Sequence, residues 1–330
     1  MSEVRSGFLR LPAVSYFKQR SDTRNGWSDH YGALDVALAY AELRHHDGYF
    51  NAIWQHGCHP PWRTHSPGLL AYNSPALEEL AIFVAKMEQV ELLAGIGVKN
   101  VRAIGLPIVY TRSVGRSRRK GSLVVFPTHT LSGESYPDRT PFKRYAEEIG
   151  RHAKEFKSVV VCVHPSCIQN GLWVDEFKAI GVPVIEGANT SDRNALIRMR
   201  ALFEQVETMT TNGWGSHVAY ALAFGTKVSI CGSKPERGRE HYENDTTWQA
   251  DLKAMEHAFS TDQAMAEQLY LQKLFVEPTE AIGDLSWGRE MIGWEHRIAP
   301  EMMRTLLQEA FRVPLERSLR CRLRNIFMSH

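Results

Sequence analysis

The stretch Thr210 to Gly232, TTNGWGSHVAYALAFGTKVSICG, leaves the chain little choice of local fold. A short run over Val206 to Thr211 ends in Asn212-Gly213. Gly215-Ser216 then opens an apolar helix over Val218 to Phe224, Gly225 is placed to cap it, and Val228 to Cys231 reads as a buried strand. The pattern is strand, small-residue loop, helix, glycine stop, strand. Small residues at a helix N-terminus let backbone N–H groups approach an anion, and the helix dipole favours negative charge there. Every β-turn-α unit shares that outline, so the rest of the chain must say whether this one holds a phosphate.

The same alternation recurs on both sides. Tyr31 to Arg44 reads as a helix, with Ser28 or Asp29 as its cap, and Phe50 to Trp54 as a short strand running into the turn Gln55 to Trp62. Phe8 to Phe17 and Leu69 to Ser74 read as further strands. Pro75 to Gly95 is predicted as one helix, and Val101 to Ile104 as a strand ending at Gly105-Leu106-Pro107. After a basic connector, strands are predicted over Ser122 to Phe126, Ser158 to Val163 and Val182 to Ile185. Helices are predicted over Thr140 to Phe156, Leu172 to Ile180 and Arg193 to Glu204. Strands alternating with helices of this length imply parallel sheets, whose ligands lie at the carboxyl ends of the strands. The expected organisation is a β/α domain over 1–111, a linker over 112–121, a second β/α domain over 122–285, and C-terminal helices over 286–330.

In the second domain each predicted strand ends in small or polar residues. They are Thr128, His129, Ser132 and Glu134 after the first, and His164 and Pro165 after the second. Glu186 and Gly187 follow the third, and Thr211, Asn212, Gly213, Gly215, Ser216 and His217 the fourth. Hydroxyls, imidazoles and glycine backbone suit a phosphate and a ribose, and a carboxylate suits a ribose or base edge.

Bulk properties narrow the classes. The chain of 330 residues is 43% hydrophobic and 23% charged, with a net charge of +2, so no overall field draws it to nucleic acid. Its five cysteines form no C-x-x-C pair, which fits a reducing compartment; Cys162 and Cys231 read as small core residues. The opening residues are too charged for a signal peptide, and no apolar run approaches the roughly 18 residues that span a membrane, so a cytoplasmic location is expected. The connector Arg112 to Lys120, RSVGRSRRK, reads as a solvated link, with attraction to an anion or a membrane surface as the alternative. Residues 312–327 carry an apolar stripe of Leu315, Leu319, Leu323, Ile326 and Phe327 against several arginines, the pattern of a helix lying peripherally on an inner-membrane surface, with a surface helix packed on its own domain as the alternative.

Val163-His164-Pro165 and Thr210-Thr211, with Ser216 as a further hydroxyl, together resemble motifs of GT-B glycosyltransferases. The branch they resemble includes the bacterial sialyltransferases, the Kdo transferases and the teichoic-acid glycerophosphotransferases. Trp54-Gln55-His56-Gly57 (with one residue inserted), Asn73-Ser74, Gly105-Leu106-Pro107 and Val125-Phe126-Pro127-Thr128 are similar, in order and spacing, to further motifs of the last of these. The resemblance covers roughly Phe50 to Gly232. It departs in that Thr-Thr-Asn-Gly-Trp-Gly-Ser stands where a serine pair and Asp-Tyr-Ser-Ser would be, and in that the acidic-acidic-glycine motif of the sialyltransferases is absent, Gly133-Glu134 being only a loose relative.

The resemblance implies two Rossmann-like domains facing across a cleft, with C-terminal helices crossing back to the first. It also implies transfer of a sugar from a cytidine (CMP-linked) nucleotide donor to a glycan or glycolipid acceptor, as in lipopolysaccharide or capsule synthesis. A donor with one phosphate, and the lack of an Asp-x-Asp pair, lead to the expectation of a reaction without metal or other cofactor. The second domain would hold the donor, with His164 and the Gly215-Ser216 helix end on the phosphate. His56 is the first choice for the acceptor's general base, with Asp29 and Glu134 as rivals. A UDP-sugar 2-epimerase-type enzyme and a non-catalytic subunit of a polysaccharide-synthesis complex are the alternatives.

Overall fold

The computed structural model describes residues 30–43, 50, 52–55, 57–60, 80–129, 136, 138–235, 256 and 260–311. Two parallel sheets organise them, in the α/β, Rossmann-like layering expected from the sequence. The larger has five strands: β4 (Arg119–Phe126), β5 (Ser158–Val163), β6 (Val184–Glu186), β7 (Val206–Thr211) and β8 (Lys227–Ile230). Their order is β6-β5-β4-β7-β8, all parallel, with Val124 opposite both Val160 and Met209. The chain moves outward from β4 to one edge, returns, and moves outward to the other. The sheet therefore reverses its winding between β4 and β7.

Alternating side chains cover both faces of this sheet. Leu123, Val125, Val161 and Val163 pack with Phe142, Tyr145 and Ile149 of α3 (Thr140–His152) and with Phe177 of α5 (Val174–Ala179). Val124, Phe126 and Val160 point the other way, into a core with Leu202 and Phe203 of α6 (Ala195–Gln205) and Val218 and Leu222 of α7 (Ser216–Ala223). A short helix, α4 (Pro165–Gln169), stands between β5 and α5 where the sequence reading had only the His-Pro turn. Proline in its first turn starts it without losing a hydrogen bond.

The smaller sheet is β1 (Ala52–Trp54), β2 (Ala81–Val84) and β3 (Val101–Ala103), in that order and parallel. The single helix predicted over Pro75 to Gly95 is not what forms. Ala81–Val84 is the central strand, and only α2 (Met87–Gly95) is helical. Pairing with a strand on each side overrides the helix-forming residues that surround AIFV. Helix α1 (Ala33–Tyr40) follows a 3-10 turn and is shorter than predicted; Ser28 and Asp29 lie outside the described residues.

Three later helices follow, α8 (Thr261–Leu271), α9 (Leu285–Met291) and α10 (Pro300–Phe311), and the chain from α9 to α10 ties the two sheets together. Helix α9 lies against α7 so closely that a Cβ on Gly288 would stand 2.3 Å from the Ala223 nitrogen. The chain then bends at Gly293 (φ +66°), where a Cβ would meet the Ala85 carbonyl oxygen at 2.0 Å beside the end of β2. Leu106 N donates to Ile292 O (2.9 Å), Tyr40 Oη to Ile298 O (2.9 Å) and Arg304 Nε to Ala41 O (3.1 Å). The C-terminal helices thus cross back onto the first part, as expected. Among the described residues no helix is long and apolar enough to cross a membrane, and residues 312–327 lie outside them.

Candidate functional site

The reversal of winding makes a crevice between the carboxyl ends of β4 and β7, because the helices that follow these strands leave toward opposite faces. Thr128 and His129 follow β4, and Asn212 to Gly215 follow β7. Asn212 is buried and joins three strand ends. Its Oδ1 accepts from Thr128 N (2.8 Å), and its Nδ2 donates to Ser233 O beyond β8 (2.8 Å). Gly213 is needed because a Cβ there would stand 2.7 Å from Thr128 Cγ2 and 3.5 Å from Lys234 Cε.

Three imidazoles gather at this edge. The rings of His129 and His164 lie 4.7 Å apart, and His217 stacks on Phe126 at 5.3 Å. His164 Nδ1 accepts from Ser166 N (3.2 Å) and lies 2.7 Å from the Ser166 hydroxyl. Its proton is therefore assigned to Nε2. Burial first, and then His129, push the His164 pKa down to about 4. Burial, then His129, push His217 down to about 3. At neutral pH both rings are uncharged hydrogen-bonding groups. An arriving anion would oppose these shifts and favour protonation.

Not all residues chosen from the sequence face the crevice. The Thr210 hydroxyl is buried against Ser229 Oγ (3.0 Å). Thr211 is buried too; its hydroxyl meets Gly213 O (3.1 Å) and His217 Nε2 (3.1 Å), and so shapes the loop from beneath. Ser216 Oγ accepts from Cys58 N (2.8 Å), joining the start of α7 to the turn after β1. Pro165 is buried in the first turn of α4. Gly187 N donates to Val163 O (2.7 Å), so β6 ends tightly against β5. Exposed Glu186 sits two strands from β4, on the order of 10 Å across the sheet. Asp29, His56, Ser132 and Glu134 lie outside the described residues.

The flanks of His56 are defined. Gln55 is buried, with Oε1 accepting from Ala85 N (2.9 Å) and Nε2 donating to Gly57 O (3.0 Å). Gly57 has φ +68°, and a Cβ on it would stand 2.5 Å from Ser216 Oγ. The carboxyl end of β1 therefore meets the start of α7, and the ends of the two sheets face each other.

Sequence reasoning missed Lys234, an exposed cation whose stem runs along Gly213. Its signal was position: it follows the fifth parallel strand at the edge where the other polar residues collect. Also missed was buried Trp173, whose Nε1 donates to Thr128 O (3.1 Å) and fixes the loop after β4. Among the described residues no group of three or more His, Cys, Asp or Glu side chains is placed to hold a metal ion.

No family model matches this sequence, and no curated protein sequence matches it. Solved structures give distant likenesses. One is a Listeria monocytogenes protein assigned as a UDP-N-acetylglucosamine 2-epimerase, at 13% identity over 83% of this chain and 69% of that one, with a TM-score of 0.37. Another is the glycotransferase of kitacinnamycin, at 14% identity over 70% and 55%, TM-score 0.31. A third is a pneumococcal O-GlcNAc transferase in complex with UDP and GlcNAc, at 12% identity over 73% and 47%, TM-score 0.33. The chain spans about half the length of the last two. At these scores the likenesses carry no function to this chain.

Proposed function

We propose that the protein is a glycosyltransferase of the GT-B type that takes its sugar from a nucleotide-activated donor. The observation that carries the reading is the crevice between β4 and β7, where His129, His164, the backbone of Gly213 to Gly215 and Lys234 collect at one sheet edge. The donor phosphate sits at this crevice. Neutral His164 donates from Nε2 to a phosphate oxygen, and Lys234 supplies positive charge. As the bond from sugar to phosphate breaks, negative charge grows on the phosphate, and these groups are already aimed at it. Glu186, two strands away, meets the ribose or base edge of the same nucleotide. Thr211, Asn212 and His217 hold the loop in shape.

The acceptor enters from the side of the first sheet, and His56, between Gln55 and Gly57, removes its proton. The donor nucleotide is cytidine-based, on the resemblance of Val163-His164-Pro165 and Thr210-Thr211 to the cytidine-using branch. A single donor phosphate calls for no bridging metal. The acceptor is a glycan or glycolipid of a bacterial surface polysaccharide, and residues 312–327 give the contact with the membrane surface.

Calorimetry with CMP, CDP, UDP and GDP tests this reading. CMP and CDP are expected to bind in preference to the others. Failure of all four to bind would overturn the enzyme reading, and tight UDP binding without CMP binding would overturn the cytidine assignment in favour of an epimerase-type or UDP-dependent site.

A further inference from the structure

The basic connector does not lie free along its length. Arg118 turns into the protein, where its guanidinium donates to Val206 O (2.6 Å), Phe224 O (2.7 Å) and Thr226 Oγ1 (3.2 Å). This fastening stands at the amino ends of β4 and β7, the edge of the five-stranded sheet opposite the imidazoles. The eight residues of β4 separate the two edges by on the order of 25 Å.

Beside it lies a pocket of about 440 Å³, lined by Tyr40, Tyr110, Arg112, Arg200, Trp294 and Arg297 among others. Three guanidinium groups from three separate parts of the chain thus border one cavity. Arg200 is anchored by Glu204 Oε1 (2.8 Å) and by the Thr111 carbonyl. Arg297 lies over the rings of Tyr40 (4.7 Å) and Tyr110 (5.9 Å). Among the described residues neither Arg112 nor Arg297 has a carboxylate partner. Glu204 is shared between Arg200 and the Ser113 hydroxyl (2.7 Å), so positive charge is in excess. The Tyr40 and Tyr110 hydroxyls bond Ile298 and Ile104 carbonyls, leaving their rings as walls. Planar guanidiniums match the paired oxygens of a phosphate, and ring faces beside them hold the cations in place.

We infer that this pocket is a second anion site, separate from the strand-end crevice, which takes a small soluble molecule bearing a phosphate or diphosphate group. Its walls come from α1, the connector, α6 and the C-terminal return. A bound oxyanion therefore fastens together the four segments that set how the two sheets face each other.

The test is calorimetric titration of the full chain with inorganic pyrophosphate at low ionic strength, for wild type, Arg112→Gln with Arg297→Gln, and His164→Ala. Wild type is expected to bind. The arginine pair variant should bind roughly tenfold more weakly or worse, whereas His164→Ala should keep the Arg112-dependent binding. Exposed Arg112→Gln alone serves if the pair fails to fold, and should still weaken binding severalfold. The inference is overturned by no pyrophosphate binding to wild type, by equal affinity in the arginine variants, or by a loss that follows His164 instead. It is also overturned if Arg112 and Arg297 govern binding to phosphatidylglycerol vesicles while pyrophosphate leaves the protein untouched.

Discussion

The five-stranded sheet has strands of eight, six and six residues at its centre, with helices on both faces. The three-stranded sheet has only three or four residues per strand. The first builds its core largely from its own crossover helices. The second depends on contacts from far along the chain: α10 against α1, Gly293 against Ala85, and the Ser216 hydroxyl on Cys58 N. Asp35, buried in α1, is held by a two-pronged ion pair from Arg193 in the loop before α6, and Tyr31 N donates to Thr190 O (2.8 Å) in the same loop. One face of the smaller sheet, with Ile53, Ile82 and Val84, packs on Leu93 of α2, whereas Trp54 and Phe83 join the core shared with the larger sheet. The larger sheet is therefore expected to be the platform on which the smaller one keeps its shape.

Cutting the Asp35–Arg193 fork should break this dependence most severely. Arg193→Ala leaves a buried carboxylate without its partner, at a cost of about 3–5 kcal/mol. Hydrogen exchange should show β1 and β2 losing protection before β4 and β5. Equal loss in both sheets would show that they fold as one unit and that the comparison is wrong.

Acid should strike the larger sheet instead. His164 and His217 have folded pKa values below their unfolded ones, so between about 6.5 and 4 the unfolded chain binds more protons. Their stabilisation is present above pH 6.5 and is lost as pH falls. Lowering pH from 7 to 5 should cost roughly 1–2 kcal/mol for each ring, read as a lower urea midpoint. The loss should shrink in His217→Asn; an unchanged loss would mean that other groups govern the acid response.

The proposed donor site sharpens the contrast. His164→Ala should weaken nucleotide binding about tenfold, roughly 1.4 kcal/mol, whereas His56→Ala should lower turnover and leave that binding nearly unchanged. The opposite pattern in calorimetry and kinetics would exchange the two roles. The smallest effect belongs to Ser216→Ala, which removes one hydrogen bond between the two regions. It should cost about 1 kcal/mol by chemical denaturation and spare nucleotide affinity; a large fall in affinity would put the hydroxyl on the phosphate after all.

The same asymmetry governed what could be read from the residues alone. β5 and β7 form over the predicted residues, because their runs of buried residues are bounded by polar turns and need only local reading. Ala81–Val84 lies among good helix formers with no turn signal, and its strand state is imposed by β1 and β3 on either side. The crevice residues were legible because a parallel sheet puts every strand's carboxyl end at one edge. Their individual duties were not. Whether a threonine faces ligand or props a loop depends on partners such as Ser229 and His217, and the Ser216–Cys58 bond joins residues 158 apart. Arg118 looked like one charge in a solvated run until three acceptors were brought to it by folding.

Cys58 turns the junction between the two sheets into something that can be timed. Its thiol donates to Met291 O (3.2 Å), its N–H is held by Ser216, and burial pushes its pKa up to about 12. While the junction is shut, a thiol reagent finds almost no thiolate there. Cys231 is partly exposed, whereas Cys162 of β5 and Cys167 of α4 are sealed in the cores on the two faces of the larger sheet. Among the cysteines of the described residues, three labelling rates should therefore separate: Cys231 first, Cys58 when the sheets part, and Cys162 and Cys167 when the platform itself unfolds. The middle rate would be a direct stopwatch on opening of the cleft, and a ligand that clamps the sheets together should slow it without touching the other two.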